Sequence, residues 1–563
     1  MGGFVPIEFE GEPVSARAGE SVAAALTAHG IRGFRVTRDG AERGLFCGMG
    51  VCQDCLIEVD GVPSRRACMT IVDRPMAIRR QRHGAALAPV QGARPPATID
   101  DLAVEQPELL VIGAGPGGLS AAIAARQAGA EVVLLDERRS PGGQYFKPVA
   151  VAGDDVAPPD AQHREGLALV AAARAAEVVI RSGVNVWGAF PGPEFAATSE
   201  TGETSRYRPR AVVVATGAYE RPWPVPGWEL PGVMTTGAAQ TLWRTARRLP
   251  GRRVLIAGNG PLNLQLAAEL RDGGAEVVAV AEAAASPMRA PGAVAAMAMA
   301  SPGLVAQGLG YTWRCLSGGV PLLHDMVVSA VAQGPKGLQV TLSGGGATHV
   351  LEADVLCLGY GFEPSNELLR ALGCRHDHDG TRLVTWRDAD GQTSVAGVYA
   401  LGDCTGLGGA RVAAADGTLA GLAAAAGLGY ALTPALAQER QQAERQANRH
   451  RRFQQALWSL YRAPALAIAQ VPDDTMICRC EAVRFGAVRA ALADGLVEAG
   501  AVKRATRIGM GPCQGRYCRP LLEALISDAT GKAPDEFSGF APRPPFRPVT
   551  IRELAGRDLA GKP

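Results

Sequence analysis

Two short runs near the start of the chain alternate apolar and polar positions. Residues 4–9 (FVPIEF) and 13–17 (VSAR after a proline) have the two-residue period of half-buried strands, and Gly11 between them suits a tight turn. A helix is expected over 20–29, with Glu20 and Ser21 at its start. From about 102 to 428 a different pattern recurs: a short apolar run, a glycine-rich loop, then a small-residue helix. That recurrence predicts parallel α/β layers. The most apolar stretch, 412–432, is interrupted by Asp416 and several glycines, so a buried helix and loop is expected rather than a membrane span. Residues 438–452 are charged and helix-prone, as in a solvated connecting helix. The Pro-, Gly- and Ala-rich stretch 84–96 reads as a linker, and the Pro-rich 542–548 as an extended tail laid against another domain.

A length of 563 residues suggests about four domains. The 57 basic and 55 acidic residues leave a net charge of +2 without a long like-charge block, so nothing marks a nucleic-acid or membrane-surface partner. The first twenty residues lack a basic region followed by an apolar run, and a cytoplasmic chain without a secretory signal or integral membrane segment is expected. In such a chain, twelve cysteines point to metal or cluster ligands before disulfides.

Cys47, Cys52, Cys55 and Cys68 are spaced C-x4-C-x2-C-x12-C. Three lie on one loop, where Gly48 and Gly50 let the backbone curl around an inorganic core and aim amides at the sulfurs. A strand over 56–59, a turn at Asp60 and Gly61, and a return strand bring the fourth back beside them. The x4, x2 spacing is that of plant-type [2Fe-2S] ferredoxins, with a shorter gap to the last cysteine; structural zinc is the other chemistry that C-x2-C pairs serve. A second group, Cys478, Cys480, Cys513 and Cys518, reads C-x-C, a 32-residue gap, then C-x4-C. Helices are expected over 485–494 and 496–503 in the gap and from about Arg519 after it. Arg479, Arg516 and Arg519 can offset an anionic cluster, and the helix dipole favours thiolates at Cys513 and Cys518. This module resembles the bacterioferritin-associated-ferredoxin type of [2Fe-2S] domain, with zinc again the alternative.

Between these groups, 111–120 reads V-I-G-A-G-P-G-G-L-S after an apolar run and opens a helix. Gly113 makes the tight turn, Gly115 admits a pyrophosphate, and Gly118 permits close helix–strand packing, with Pro116 and Gly117 opening the helix whose N-terminus attracts phosphate. A second strand ends in Asp136, 23 residues after Gly113, whose carboxylate can bind a ribose diol. Glu137, Gly143 and Gln144 are further cofactor-binding candidates. The strand over 211–215 runs into Thr216 and Gly217, and 397–403 reads G-V-Y-A-L-G-D, ending in Gly402 and Asp403. Together these elements resemble the two-dinucleotide-domain flavoprotein reductases. That resemblance implies FAD, with Asp403 on the flavin ribityl chain and the helix from about Gly409 pointing its positive end at the flavin.

A second fingerprint, Gly258-Asn259-Gly260-Pro261-Leu262-Asn263, puts Asn263 at the third glycine position. The residue 23 after Gly258 is Ala281, with Glu282 one place later. This domain is read as binding NAD(P), another adenine nucleotide, or nothing. Cys315, Cys357, Cys374 and Cys404 are scattered singles, read as buried structural thiols, so a dithiol mechanism is not expected. His376 and His378 share a polar segment with Asp377 and Asp379, read as an exposed, solvated turn. No serine–histidine or paired-carboxylate arrangement offers an acid/base site, and no catalytic residue is nominated.

Longer strings narrow the resemblance. Residues 44–55 read G-L-F-C-G-M-G-V-C-Q-D-C; 215–222 read A-T-G-A-Y-E-R-P; 477–481 read I-C-R-C-E; and 506–518 read T-R-I-G-M-G-P-C-Q-G-R-Y-C. These are similar to the flavoprotein subunits of hydrogen cyanide synthase, opine oxidases and D-hydroxyproline dehydrogenase, related to the α subunit of heterotetrameric sarcosine oxidase. The resemblance implies a ferredoxin-like small subunit fused at the N-terminus. It also implies a hetero-oligomer with a glycine/D-amino-acid-oxidase-type flavoprotein that oxidises the substrate, and a downstream electron acceptor.

The expected fold is therefore α/β: a two-dinucleotide-binding-domain flavoprotein core between an N-terminal β-grasp ferredoxin-like domain and a C-terminal small helical [2Fe-2S] domain. The expected units are 1–95 (ferredoxin-like), 102–232 and 351–430 (FAD-binding), 233–350 (second nucleotide domain), 431–470 (helical linker), 471–538 (second [2Fe-2S] domain) and 539–563 (tail). The implied function is electron relay in an amine-oxidising dehydrogenase complex. A self-contained NAD(P)H:acceptor reductase is the alternative, and a non-enzymatic cluster carrier or scaffold the third class.

Overall fold

The computed structural model describes residues 3–82, 102–151 and 159–554. The linker expected over 84–96 lies outside them.

The N-terminal alternation forms the hairpin Phe4–Phe9 and Glu12–Arg17, whose inward residues Ile7, Phe9, Val14 and Ala16 are buried. Met76–Arg80 pairs parallel with Phe4–Phe9, and Leu56–Val59 and Val62–Arg66 complete a five-stranded sheet. The helix Val22–Ala28 packs on it as in a β-grasp fold, capped by the Ser21 hydroxyl, which accepts from the Ala24 amide at 3.2 Å. Glu20 does not serve that helix. Its buried carboxylate accepts from Arg248 at 2.7 and 2.8 Å, tying this unit to the core.

The core holds two parallel sheets. The first runs Val179–Ser182, Val132–Asp136, Leu109–Ile112, Ala211–Val214 and Val398–Ala400. The second runs Val233–Thr235, Val355–Gly359, Arg253–Gly258, Glu276–Glu282 and Leu322–His324. Their central strands are apolar at nearly every position, because helices cover both faces. The second sheet extends past residue 350, since Val355–Gly359 pairs with Arg253–Gly258. The apolar stretch is the helix Gly409–Gly427, packed on Pro116–Gln127. Its interrupting Asp416 is buried and clamped by Arg387 and Arg451.

Three local expectations are corrected or refined. The connecting helix spans Pro434–Leu460 and buries an apolar face through Ala443, Ala447, Phe453 and Leu457, so it is half core rather than merely solvated. His376 lies on the strand His376–His378, buried, with Nδ1 against the Cys374 carbonyl at 2.7 Å and Nε2 against the Thr385 hydroxyl at 3.0 Å. The strand period turns Asp377 outward and His376 in, with His378 half-buried on the same face as His376. The gap helices of the C-terminal unit are Phe485–Ala493 and Ala499–Thr506. The tail does lie against the core: Phe546 is buried among first-sheet residues and its amide donates to the Trp187 carbonyl at 2.8 Å. No helix among the described residues is long and apolar enough to cross a membrane.

Candidate redox centres

The first cysteine loop curls through left-handed backbone at Gly48 (φ +61°) and Gly50 (φ +82°), conformations that a side chain would strain. Cys68 returns after Val62–Arg66, with its sulfur 3.3 Å from that of Cys55, while Cys47 meets Cys52. The four thiols thus approach as two pairs. Burial pushes the Cys47 thiol up, but hydrogen bonds from Cys52 and the amides of Met49, Cys52 and Val51 outweigh it and hold it at about 6. In the second group the thiol contacts run Cys518 to Cys478, Cys478 to Cys480 (3.7 Å) and Cys480 to Cys513 (3.5 Å). Contact with Cys480 and Cys518, then amides of Gly509 and Glu481, pulls the Cys478 thiol well down against the cost of its burial. Cys518 precedes the helix Arg519–Thr530, as the spacing predicts. Among the described residues no group of three or more His, Cys, Asp or Glu side chains is arranged for a single ion. Both donor sets are wholly thiol, a soft environment suited to iron–sulfur chemistry or zinc.

The two groups share one junction. A small cavity is lined by Cys52 and Asp54 on one side and by Cys478, Arg479, Cys480, Cys513, Tyr517 and Cys518 on the other. Across it the Arg479 Nε donates to Asp54 Oδ2 at 2.6 Å, with both side chains buried. Its guanidinium lies 3.9 Å from the Phe46 ring centre and 4.8 Å from that of Trp228, and donates to the Trp228 carbonyl at 2.6 Å. Burial pushes the Asp54 carboxyl up, but Arg479 and Arg35 hold it below the ordinary carboxylate value. Of the three arginines expected to offset the second cluster, only Arg479 faces this junction. Arg516 pairs with Glu367, and Arg519 with Glu523.

The first nucleotide loop has the shape its fingerprint predicts. A Cβ at Gly118 would collide with the Gly113 carbonyl, so glycine there lets the helix close onto the strand. At Gly115 and Gly217 a Cβ would meet nothing within 4 Å, leaving open space beside the loop. Pro116 and Gly117 open the helix Pro116–Gln127. Asp136 ends its strand, but its carboxylate accepts from the Ala114 amide (2.6 Å) and the Arg138 amide (2.8 Å), so both oxygens brace the loop. Glu137, beside it, accepts from Arg66 of the N-terminal unit at 2.9 Å and from Arg547 of the tail. Gly143 packs over Gly115, and the Gln144 amide, with its oxygen toward Arg138, meets that guanidinium. The Thr216 hydroxyl donates to the Ser365 carbonyl at 2.6 Å. Gly402 precedes Asp403, which accepts from the Gly408 and Gly409 amides at 3.0 and 2.9 Å and so braces the start of the next helix. Burial pushes the Asp403 carboxyl up, and those amides oppose it. Open edges at two glycines and two helix N-termini make a cradle that fits a dinucleotide.

The second loop is shaped alike but covered. The one-residue displacement of Glu282 is absorbed by an irregularity between Val254 and Leu255, where the partner strand advances two residues; Gly258 stands opposite Glu282. Glu282 accepts from the Gly260 and Ala284 amides, each at 3.1 Å, and burial pushes it up to about 7 against those bonds. Asn263 replaces the third glycine by bonding Thr236 (2.9 Å) and the Gly359 carbonyl (3.3 Å). Beyond the connecting helix, the Tyr461 carbonyl accepts from Asn259 at 2.9 Å, and Trp458 stands 3.7 Å from where a Cβ of Gly260 would lie.

Residues 107–418 match the family model of pyridine nucleotide-disulphide oxidoreductases, more than half the chain. The chain belongs to that oxidoreductase family. Two further matches flank it: a 2Fe-2S iron-sulfur cluster binding domain over 4–83 and a BFD-like [2Fe-2S] binding domain over 476–528. The cofactors of this oxidoreductase are accordingly FAD and two [2Fe-2S] clusters. All twelve cysteines are free thiols, and Cys315, Cys357, Cys374 and Cys404 are buried singles. An opine oxidase subunit of Agrobacterium tumefaciens (strain Ach5) is 33% identical over 464 residues, 80% of this chain and 91% of the relative. Hydrogen cyanide synthase subunit HcnA of Pseudomonas aeruginosa is 45% identical over 75 residues, 13% of this chain and 72% of that protein. Among solved structures, L-proline dehydrogenase from P. horikoshii superposes with a TM-score of 0.71 at 20% identity, covering 100% of this chain and 98% of that one, a likeness of fold. The oxidoreductase thus resembles two kinds of subunit from multi-subunit enzymes, joined in one chain.

Proposed function

We propose that this oxidoreductase is the electron-relay subunit of an amine-oxidising dehydrogenase complex, and that Cys47, Cys52, Cys55 and Cys68 hold one cluster and Cys478, Cys480, Cys513 and Cys518 the other. FAD is assigned to the cradle of Gly113, Gly115, Gly118, Thr216, Gly217 and Asp403. When bound, the clusters supply one-electron chemistry and the flavin joins it to two-electron chemistry. Substrate oxidation is assigned to a partner flavoprotein of the glycine/D-amino-acid-oxidase type, as the likeness to subunits of multi-subunit oxidases suggests. Oxidising an amine to an imine releases two electrons and two protons; the electrons cross this subunit to an acceptor, and the protons leave to solvent at the partner.

The observation that carries the reading is the shared junction, which places Cys52 and all four C-terminal thiols around one cavity joined by Asp54 and Arg479. This chain's residues set the conditions of transfer. Phe46, Trp228 and Tyr517 exclude water from the junction, and Arg479 supplies positive charge where electrons would add negative charge. The tested outcome is copurification from the native cell. Mass spectrometry should find an amine-oxidising flavoprotein bound to this chain, and an amine substrate should reduce its cofactors only when that partner is present. Full reduction of the isolated chain by NADH would instead support the self-contained reductase.

A further inference from the structure

Apart from the cysteine groups and nucleotide loops, one cavity is set apart by its charge. It encloses about 430 Å³ between the core helix Glu367–Ala371, the helix Ala499–Thr506 of the C-terminal unit, and the chain at 539–546. Arg370, Lys503, Arg504, Arg516, Arg519 and Arg543 line it, against one carboxylate, Glu367. Arg516 is paired with Glu367 at 3.0 Å and Arg519 with Glu523 at 3.0 Å. Among the described residues the other four make no ion pair. Arg370 donates to the Phe540 carbonyl at 2.7 Å, and the Lys503 ammonium stands 5.2 Å from the Phe540 ring centre. Burial, then the neighbouring Arg519, push Arg370 down to about 10, against the opposing pull of Glu523 and Glu367. Arg370, Lys503, Arg504 and Arg543 leave the cavity with an excess of positive charge, although Arg504 and Arg543 are exposed and Arg370 also feels Glu523 and Glu367, and an anion bound among them would be attracted.

The geometry points to a binding site for a small phosphate ester, its phosphate held by Arg370, Lys503 and Arg504 and its organic body against Phe540. A dianion suits several converging donors better than a single carboxylate, and arginine forks match phosphate oxygens. The volume falls in the range of small-molecule sites and exceeds what a bare phosphate fills. Loop residues Gln514 and Gly515, between Cys513 and Cys518, form one wall, so occupancy would place negative charge beside the second cysteine group.

Titration calorimetry on the full, cofactor-loaded chain tests this with phenyl phosphate, with inorganic phosphate and phenol as the separate halves. Saturable binding of phenyl phosphate is expected, weaker binding of inorganic phosphate, and none of phenol. A variant carrying Lys503→Gln and Arg504→Gln should bind phenyl phosphate at least about tenfold more weakly, from the loss of charge-assisted hydrogen bonds, with flavin content and visible spectrum unchanged. Arg543→Gln, on the exposed tail, should weaken binding in the same direction and serves if the first variant loses its spectrum. Unchanged affinity in a spectrally intact variant, or no saturable binding to the parent at millimolar concentration, would overturn the site.

Discussion

Arg479 and Asp54 form a buried ion pair, Nε to Oδ2 at 2.6 Å, between two cysteine groups that lie at opposite ends of the chain. Arg479 stands between Cys478 and Cys480, and Asp54 between Cys52 and Cys55. The pair therefore acts on both centres at once, as a structural latch and as a fixed dipole.

Substituting either member should move the cluster potentials in opposite directions. Arg479→Gln removes a cation and makes reduction harder. Asp54→Asn removes an anion and makes it easier. A screened charge at this range is worth roughly 1–3 kcal/mol, well within reach of an EPR-monitored redox titration. Arg479→Gln also strands the Asp54 carboxylate with Arg35 alone and should lower unfolding stability by roughly 3–5 kcal/mol, whereas shifts of the same sign in both variants would deny the electrostatic role.

Each cysteine group should fail independently. Cys55→Ser should abolish one [2Fe-2S] signal and reduce iron content from about four to about two per chain, leaving the other signal. Cys513→Ser should do the converse. Iron analysis with low-temperature EPR reads both, and simultaneous loss of both signals in a folded variant would show that the ligand sets are wrongly divided.

NADH and NADPH should leave the flavin of the isolated chain oxidised over minutes of anaerobic mixing. Glu282 is held by the Gly260 and Ala284 amides, and Trp458 and Tyr461 lie over the second loop. Rapid bleaching of the visible absorption band of oxidised flavin would mean that the cover moves aside.

Much of this was legible in the sequence because it is local. The alternation at 4–9, the turn at Asp60 and Gly61, the helix after Gly115, and the C-x4-C, C-x2-C and C-x-C pairs follow from neighbours a few residues apart. What stayed hidden depends on distant partners. Asp54 and Arg479 are 425 positions apart, and Glu137 is reached by Arg66 and Arg547 from two other units. Asp136 was legible as an acid at a strand end, but not the two amides that occupy it. Glu282 stands one place late along the chain, and the strand irregularity beside Val254 restores its place opposite Gly258.

His376 gives a pH test. Burial, more than the Cys374 carbonyl can offset, pushes its imidazole down to about 4 from an ordinary value of 6.5. The folded state keeps it neutral where the unfolded chain binds a proton, so its contribution is complete above 6.5 and is lost as pH falls through 4. The full loss is on the order of 3 kcal/mol. Chemical denaturation of the parent and of His376→Gln across that window should give a shallower pH slope for the variant; equal slopes would show that His376 does not titrate in this way.

The central claim is that two iron–sulfur centres share one junction. Its most direct test is EPR of the anaerobically purified, dithionite-reduced chain, with iron, sulfide and zinc measured on the same sample. About four irons and about four sulfides per chain, with two [2Fe-2S] signals broadened by each other's spin, are predicted. Stoichiometric zinc without iron, or two signals that ignore one another, would contradict it.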